Sequence, residues 1–148
     1  MTIKIKKLSY FYLIINIRNI IKISNDFPNN YWTKKHYFKK MPLKFKYSRI
    51  ILVNNKLAGY AIVSKKDSMH VHRFIVSKKF RNQGIGSLLQ FAIENVAKKY
   101  DEKYITLYVS ESNLSAINFY KSHNYIYMNN ITDTILNTTN FLMKKIIS

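Results

Sequence analysis

The sequence predicts a single domain of the α/β or α+β class that is built on one mixed sheet. Its 148 residues suit one compact domain with one sizeable core. A β-hairpin pattern lies in the first half of the chain, and patterns of strand, helix, strand and helix follow one another in its centre. We therefore expect residues 1–148 to fold as one domain.

The first part of the chain carries one strand pattern and two helix patterns. These segments run from Thr2 to Leu8, from Tyr10 to Ile23 and from Asn30 to Lys40, in that order. The first helix has apolar residues at helical spacing, with Ile14, Ile17 and Ile21 on one side. The second helix is short and rich in aromatic residues, and Pro42 follows it.

Three strands are predicted next, and the first two form a hairpin. Ser48 to Val53 and Leu57 to Val63 are apolar runs, and Asn54-Asn55-Lys56 joins them as a turn. The third strand covers Met69 to Val76. These segments give the sheet an antiparallel start.

The second half alternates helices and strands. Its clearest helix runs from Gly84 to Lys99, and the apolar stripe of that helix consists of Ile85, Leu88, Leu89, Ala92, Ile93, Val96 and Ala97. The remaining predicted segments are a strand from Tyr104 to Val109, a helix from Asn113 to His123, and two final strands from Tyr125 to Met128 and from Phe141 to Ile147. Ala116, Ile117 and Tyr120 share one face of the later helix.

The composition excludes some functions and leaves others open. No cysteine is present, which excludes disulfides, thiolate metal sites and a cysteine nucleophile. The formal net charge is +18, and the basic residues are spread along the chain in pairs rather than in one tail. A nucleic-acid partner, an anionic membrane and a codon bias toward Lys, Asn, Ile and Tyr would each explain this charge. We favour the codon bias, and the positive field attracts polyanions in every case.

The first residues are not interpreted as a targeting segment. Lysines precede the apolar run Tyr10 to Ile15, but Asn16, Arg18 and Asn19 break the run, and no small-residue cleavage site follows. No stretch reaches the roughly 20 apolar residues that a membrane span requires. A cytoplasmic protein without a membrane partner is expected.

The segment from Arg81 to Ser87 has the character of an anion site. It lies between a predicted strand and a predicted helix, and it holds Gly84 and Gly86, two of only three glycines in the chain. Glycine permits positive φ and close approach of another group, and the helix start offers free N–H groups and a positive dipole end. A phosphate or pyrophosphate suits this turn, although an ordinary packing turn would also use glycines.

Two motifs together resemble the signature of the GNAT N-acetyltransferase superfamily. The first is Arg81-x-x-Gly84-x-Gly86 between a strand and an amphipathic helix. The second is Asn113, then Ala116-Ile117-Asn118-Phe119-Tyr120, then a turn and Tyr125. The resemblance covers roughly residues 50 to 128. One departure is Asn124, where the family commonly has Gly, and Asn also tolerates the left-handed backbone of a helix end.

The resemblance implies a fold and a co-substrate. The fold is a GNAT-like domain with a mixed, mostly antiparallel sheet, splayed central strands and about four flanking helices. The co-substrate is acetyl-coenzyme A, with no metal. The main chain of Phe74, Ile75 and Val76 would pair with the pantetheine arm like an added strand. Seven residues would present amides to the pyrophosphate, namely Arg81, Asn82, Gln83, Gly84, Ile85, Gly86 and Ser87. Asn113 would contact the pantetheine, and Tyr120 would sit beside the sulfur that leaves as a thiol.

The reaction also needs a group that accepts a proton from the amine. An alkylamine with a lysine-like pKa is neutral in only about one molecule in 2,500 at pH 7. His70 and His72 lie two residues apart, so they share one face of the predicted strand. This His-x-His resembles the arylalkylamine (serotonin-type) branch of the superfamily, in which paired histidines relay the proton through water. Glu111 and a water chain are the alternative bases.

Tyr120 raises a chemical question of its own. A phenol with a pKa of about 10 that protonates a thiolate of about 8.5 works uphill by roughly 2 kcal/mol. Either the basic surroundings lower the pKa of Tyr120, or the phenol donates a hydrogen bond while the thiolate leaves.

The acceptor is the least predictable part of the function. Residues 24 to 47 and 129 to 140 are expected to select it, and Asp26 and Asp133 are the only acids there. Either acid could bind a second cationic group of a polyamine or aminoglycoside, although a turn role suits both better. A small amine or a peptide is the expected partner. The alternatives are acetylation of a protein N-terminus or lysine, a coenzyme-binding protein without catalysis, and a basic nucleic-acid-binding module. Family members often dimerise, so a homodimer is a further expectation.

Overall fold

The computed structural model describes residues 1–27, 30–135 and 137–148, and they form one sheet with helices on both faces. The strands are β1 (Ile3–Lys7), β2 (Arg49–Val53), β3 (Lys56–Lys65), β4 (Met69–Val76), β5 (Tyr104–Ser110), β6 (Ile126–Asp133) and β7 (Thr138–Ile146). The helices are α1 (Tyr10–Asn25), α2 (Lys34–Phe38), α3 (Lys44–Tyr47), α4 (Ile85–Lys99) and α5 (Leu114–Ser122). A 3₁₀ turn covers Lys78–Phe80.

The sheet is splayed at its centre. Its order is β1-β2-β3-β4-β5-β7-β6, and β4 and β5 are its parallel neighbours while the other pairs are antiparallel. The β4–β5 pairing consists of three register pairs and stops at Val71 and Leu107. Both strands continue beyond that point, so they diverge and leave one edge of β4 unpaired. The predicted mixed sheet with splayed central strands is confirmed.

Two apolar layers cover the two faces of the sheet. The first layer packs α4 on the sheet, and its fully buried members include Leu89, Ile93 and Ile105. The second layer packs α1 and α2 on the opposite face, with Leu13 and Tyr60 among its buried members. Side chains at the start of β4 alternate between the two layers, and its odd-numbered residues Met69 and Val71 belong to the α4 layer.

The predicted hairpin forms as expected. Asn54 and Asn55 have φ values of 50° and 63°, and both residues of a two-residue type I′ turn require positive φ. Asparagine adopts this conformation more easily than most residues, so the Asn-Asn pair sets the turn between β2 and β3.

The predicted apolar face of α1 is wrong in part. Ile14 is 44% exposed, whereas Leu13, Ile20 and Ile23 are buried against the sheet. The reason is that α1 carries apolar residues around most of its circumference, so spacing alone defines no single stripe. In α4 the predicted stripe is correct except at Leu88, which is 37% exposed.

The second predicted helix is shorter than expected, and an additional helix follows it. The helix does not begin at Asn30, because Thr33 and His36 form a capping box that starts α2 at Lys34. Lys39, with ψ of 130°, ends it. A second short helix, α3, follows Leu43, so the described residues contain five α-helices instead of about four.

Gly59 in β3 allows the close approach of β4, so Gly59→Ala is expected to be destabilising. A Cβ there would lie 2.6 Å from the main-chain oxygen of Ile75, and main-chain atoms cannot move aside cheaply. We expect the free energy of unfolding to fall by about 1–3 kcal/mol, measured by urea denaturation. Gly86→Ala is the matched control, because its Cβ would meet the side chain of Phe119 at an ordinary 3.4 Å. Equal stabilities of the two variants would contradict this account.

Candidate active site

The two histidines of β4 lie at the point where the central strands separate. Their ring centroids are 4.8 Å apart, and both rings project from the face opposite to Met69 and Val71. The predicted shared face is therefore observed. His70 is the register partner of Thr106, one residue before the pairing of β4 with β5 ends.

Hydrogen bonds hold both imidazole rings. His70 Nδ1 lies 2.8 Å from Thr106 Oγ1, and its ring packs on Tyr108 with centroids 4.8 Å apart. His72 Nε2 lies 2.6 Å from Ser64 Oγ on the neighbouring strand β3. The strands on either side of β4 thus fix the histidine pair from both directions.

A β-bulge at His72 changes the alternation of β4. Ile62 is the register partner of Arg73, whereas the next residue of β3, Val63, pairs with Val71. His72 is therefore the extra residue of the bulge. As a consequence, the neighbours His72 and Arg73 project from the same face of β4. There His72 meets Ser64, and Arg73 donates to Ser24 Oγ of α1 at 2.6 Å and to Asn30 Oδ1.

Both histidines are neutral at pH 7. Burial, together with the neighbouring His72, lowers the pKa of His70 to about 4. Burial also lowers the pKa of His72, and the ammonium groups of Lys39 and Lys44 add to the effect. A neutral imidazole has an unprotonated nitrogen, so each ring is able to accept a proton.

The stability of the protein is expected to decrease as the pH falls from 7 to 4. His70 in the unfolded chain takes up a proton near pH 6.5, but folded His70 does so only near pH 4. The proton therefore favours the unfolded chain in this window, by up to about 3 kcal/mol at its lower end. Melting temperatures at pH 7.5 and pH 5 test this, and His70→Gln should lose part of the difference. The same pH dependence in the variant would contradict the assignment to His70.

Glu111 lies at the far end of β5 from the histidines. It is exposed, and its N–H donates to the carbonyl oxygen of Thr139 at 3.2 Å. No hydrogen bond within the described residues joins it to either histidine. Its carboxylate is open to solvent at the same end of the splayed strands as the unpaired edge of β4.

The turn before α4 has the geometry of an anion site. Asn82 and Gly84 adopt positive φ values of 60° and 80°, and Gly84 precedes the first residue of the helix. The first helical hydrogen bond runs from the N–H of Leu88 to the carbonyl of Gly84. The amides of Ile85 to Ser87 therefore have no acceptor in the helix, and they point outward at its positive end.

Arg81 adds a cation beside this turn. Its Nε donates to the carbonyl of Val76 at 3.2 Å, and its guanidinium lies 4.2 Å from the ring centroid of Phe27. Its Nη2 is buried and has no hydrogen-bond partner among the described residues. A buried donor without an acceptor is costly, so this atom suits an anion that binds at the turn. The side chain of Gln83 donates to the carbonyl of Lys79 at 3.2 Å.

Helix α5 packs against the start of α4. Ser87 Oγ lies 3.0 Å from His123 Nε2, so the Ser87 hydroxyl has a protein partner. His123 packs on Phe119, which also lies opposite Gly86. A β-carbon at Gly86 would meet Phe119 at 3.4 Å, an ordinary contact distance, so Gly86 lies where the two helices pack together. Burial lowers the pKa of His123.

Tyr120 projects from α5 into the space beside β4. Its ring is buried and packs on Phe74 and Tyr125, with centroids 6.1 and 5.3 Å away. Burial raises the pKa of Tyr120, so the alternative that basic surroundings lower it is wrong. Nothing in residues 1–27, 30–135 or 137–148 hydrogen-bonds to its hydroxyl. The hydroxyl is therefore protonated at pH 7 and free to donate.

Two asparagines begin and end α5. Asn113 is the N-cap, and its Oδ1 accepts from the N–H of Ala116 at 3.2 Å. Asn124 has φ of 68°, as expected for the left-handed residue that ends the helix. In the segments expected to select the acceptor, Asp26 is exposed and Asp133 accepts from the N–H of Ile135 at 2.9 Å. The expected turn role therefore holds for Asp133.

The site contains residues that sequence reasoning missed. Ser64 and Thr106 hold the histidines, Arg73 lies beside them, and Lys44 is buried nearby. A single Ser or Thr in a strand carries no motif, so no pattern indicated the first two. The signal for Arg73 was a charge inside an apolar strand, which requires a buried partner.

The described residues contain no cluster of three or more His, Asp or Glu side chains that could hold a metal ion. Within the same part of the chain, no helix has the length and hydropathy to cross a membrane.

Three solved structures share this fold over nearly their whole length. The ribosomal-protein-S18-alanine N-acetyltransferase from Escherichia coli has a TM-score of 0.82 and 21% identity, over 99% of this chain and 95% of that one. Arabidopsis thaliana Naa50 in complex with the bisubstrate analogue CoA-Ac-MVNAL has a TM-score of 0.76 and 18% identity, over 98% of this chain and 99% of that one. A putative streptothricin acetyltransferase from Bacillus anthracis in complex with acetyl coenzyme A has a TM-score of 0.76 and 17% identity, over 100% of both chains.

Comparison at the level of sequence identifies the family. No curated protein sequence matches the chain. The family model described as Acetyltransferase (GNAT) family matches residues 14–125, which include the whole turn before α4, the histidine pair and Tyr120. The match covers well over half of the chain, and the observed sheet and turn agree with it, so the protein is an acyltransferase that belongs to the GNAT acetyltransferase family.

Proposed function

We propose that the protein transfers an acetyl group from acetyl-coenzyme A to a primary amine, by direct attack within a ternary complex. The observation that carries this proposal is the unpaired edge of β4. It lies between the anion-binding turn on one side and the histidine pair on the other. A donor bound along this edge would present its acyl group next to the histidines.

The residues of this edge fit a coenzyme A molecule. Phe74, Ile75 and Val76 pair with β3 on one side only, so their other side offers main-chain groups to an extended pantetheine arm. The outward amides of Ile85 to Ser87, together with the buried Nη2 of Arg81, supply donors for a pyrophosphate. Asn113 lies at the start of α5 and retains its amide NH₂ for the pantetheine.

The chain contributes a base and a hydrogen-bond donor to the reaction. Acetyl-coenzyme A supplies a thioester, whose carbon–sulfur bond breaks as the nitrogen–carbon bond forms. The histidine pair accepts the proton that the attacking nitrogen loses, through a water molecule, and passes it to solvent. In this proposal Glu111 and a water chain are the alternative bases, because Glu111 lies at the open end of the same strands.

Tyr120 stabilises the sulfur as it leaves. Its raised pKa makes complete proton transfer to a thiolate more uphill than for a phenol in water. The hydroxyl has no described protein partner, so it donates a hydrogen bond to the negative charge that develops on sulfur. The proton that the thiolate finally receives comes from solvent.

A peptide N-terminus is the second candidate acceptor. The E. coli structure is named for an alanine of a ribosomal protein, and the Arabidopsis structure contains the bisubstrate analogue CoA-Ac-MVNAL. Both share the fold of this chain over almost their full length. The His-x-His strand supports a small arylalkylamine instead, because it resembles that branch of the superfamily. Peptide acetylation predicts an open groove and no turnover of small amines.

A thiol-release assay tests the proposed function. Acetyl-coenzyme A is offered with arylalkylamines, polyamines, aminoglycosides and peptides, and release above the rate without acceptor identifies the acceptor class. A rise in melting temperature with acetyl-coenzyme A alone is expected, because a ligand that binds only the folded state stabilises it. Arg81→Gln should reduce this rise. If millimolar coenzyme gives no rise, the proposal is wrong.

A further inference from the structure

We propose that the acetyl acceptor carries an oxyanion, a carboxylate or a phosphate, which binds in a pocket of three lysines beside the histidine pair. This inference rests on the proposed function and names its substrate class. The cavity has a volume of about 340 Å³ and lies between α1 and the segment from α2 to α3. We call it the lysine pocket, and its lining includes Lys39, Lys40, Lys44, Tyr10, Phe38 and Phe45.

The lysine pocket lies close to the site of proton transfer. The N–H of Lys65 donates to the carbonyl of Pro42 at 3.0 Å, which joins the pocket segment to the end of β3. The adjacent Ser64 holds His72 at 2.6 Å. The charges of Lys39 and Lys44 also reach His72, since they lower its pKa. The proposed ligand would extend from the pocket along this connection, with its amine end toward His72.

The charge of the pocket selects an anion. Three of its lining residues are lysines, and no acid stands among the described residues that line it. Glu102 is the nearby buried acid, but it is neutralised by Lys65 at 2.6 Å and bonded to the hydroxyl of Tyr47. A second ammonium group of a polyamine or aminoglycoside would meet three like charges here, which is unfavourable at such short range. The expectation that Asp26 or Asp133 selects a polycation is therefore not supported by this pocket.

Codon bias does not explain Lys44. A bias toward lysine adds cations at the surface, but Lys44 is only 3% exposed. Its ammonium group donates to the carbonyls of Tyr37 and Lys39, which fix it in place. Burial lowers the pKa of Lys44 to about 8, so the group is still charged at pH 7. A buried charge is costly without a counter-charge, and an oxyanion in the pocket would supply one.

The walls of the pocket also indicate an apolar body for the acceptor. The Phe45 ring centroid lies 5.3 Å from Lys44 Nζ, and Tyr10 packs on Phe38 and Phe45 with centroids 6.2 and 5.9 Å away. The ligand would thus place its oxyanion on the lysines, an apolar or aromatic body against these rings, and its amine toward His72. An acidic arylalkylamine has this arrangement of groups.

The test uses acceptors that share one skeleton and differ in charge. They are 4-(aminomethyl)benzoate, its neutral carboxamide and the cationic 1,4-bis(aminomethyl)benzene, with 4-(aminomethyl)phenyl phosphate to distinguish phosphate from carboxylate. We expect kcat/KM for the better anion to exceed that for the carboxamide at least tenfold, with the dication lowest. Equal rates for the anions and the carboxamide would overturn the proposal.

Variants of the exposed lysines locate the effect. In the double variant Lys39→Gln, Lys40→Gln, KM for the anionic acceptor should rise about tenfold or more, and the preference in kcat/KM for the anion over the carboxamide should fall by the same factor. The double variant Lys34→Gln, Lys35→Gln is the control, because it removes the same charge from α2 outside the pocket. An equal rise of KM in the control would show that the overall positive charge of the protein causes the effect, and it would overturn the proposed binding of the anion in the lysine pocket. Lys44 is left intact, since its removal would leave the carbonyls of Tyr37 and Lys39 without this donor.

A binding measurement separates this inference from the proposed function. The unreactive anion 4-methylbenzoate is titrated into the protein by calorimetry, with 4-methylbenzamide as the neutral reference. Binding of the benzoate that disappears in Lys39→Gln, Lys40→Gln supports the pocket even if no amine is acetylated. In that case only the proposed function fails. If amines without an anionic group are acetylated and 4-methylbenzoate does not bind, only the proposal of the lysine pocket is overturned.

Discussion

The double variant His70→Gln, His72→Gln is expected to lower kcat/KM about 100- to 10,000-fold, the range that general base catalysis contributes. Glutamine is close to histidine in size and hydrogen-bonds to the hydroxyls of Thr106 and Ser64 in its place, but it cannot take up a proton at neutral pH. The measurement is steady-state kinetics at saturating acetyl-coenzyme A with the best acceptor. The acid limb of the pH profile should disappear in the variant, because it belongs to groups with a pKa below 6.5.

Single variants and a control distinguish a relay from independent bases. Residues that act as a unit are not additive, so in a relay either single variant costs nearly as much as the double. Glu111→Gln is the matched control, since it changes a carboxylate to an amide at an exposed position directly after β5. A large loss in Glu111→Gln with little loss in the histidine variants would identify the carboxylate as the base. Full activity in the double histidine variant and in Glu111→Gln would leave a water chain as the base. The melting shift with acetyl-coenzyme A should be the same in each variant.

Local patterns predicted those parts of the fold that depend on neighbours in the sequence. The Asn54-Asn55 turn forms because both residues tolerate positive φ, and α4 forms because its apolar stripe and Gly84 define one face and one start. The shared face of His70 and His72 follows from the two-residue period of a strand. These features need no knowledge of distant residues.

Long-range contacts determined what the sequence could not predict. The bulge at His72 arises from the register of β4 against β3, and it turns Arg73 toward Ser24, 49 residues earlier in the chain. The burial of Lys44 depends on carbonyls of Tyr37 and Lys39 that the turn at Leu43 brings to it. The exposure of Ile14 depends on which side of an apolar helix meets the sheet. In each case the spacing of residues is compatible with more than one arrangement, and packing selects one.

Tyr120→Phe is expected to lower kcat about 100- to 1,000-fold, the range for loss of one hydrogen-bond donor to a developing negative charge. The affinity for acetyl-coenzyme A should change less than threefold. The aromatic ring has the same contacts with Phe74 and Tyr125 in the variant, so the shape of the site is retained. The hydroxyl has no hydrogen bond within the described residues, so its removal strands no protein group and should not lower stability.

Tyr125→Phe is the matched control, because it removes a hydroxyl from the same aromatic cluster. The hydroxyl of Tyr125 accepts from Gln90 Nε2 at 3.0 Å, and Gln90 is fully buried. This control should therefore lose about 1 kcal/mol of stability and retain its turnover, the opposite of the result expected for Tyr120. Rates and melting temperatures of the two variants, each with and without coenzyme, give the comparison. Unchanged turnover in Tyr120→Phe would contradict a hydrogen bond to sulfur. A matching loss of turnover in both variants would show that packing of the cluster, and not the Tyr120 hydroxyl, limits the reaction.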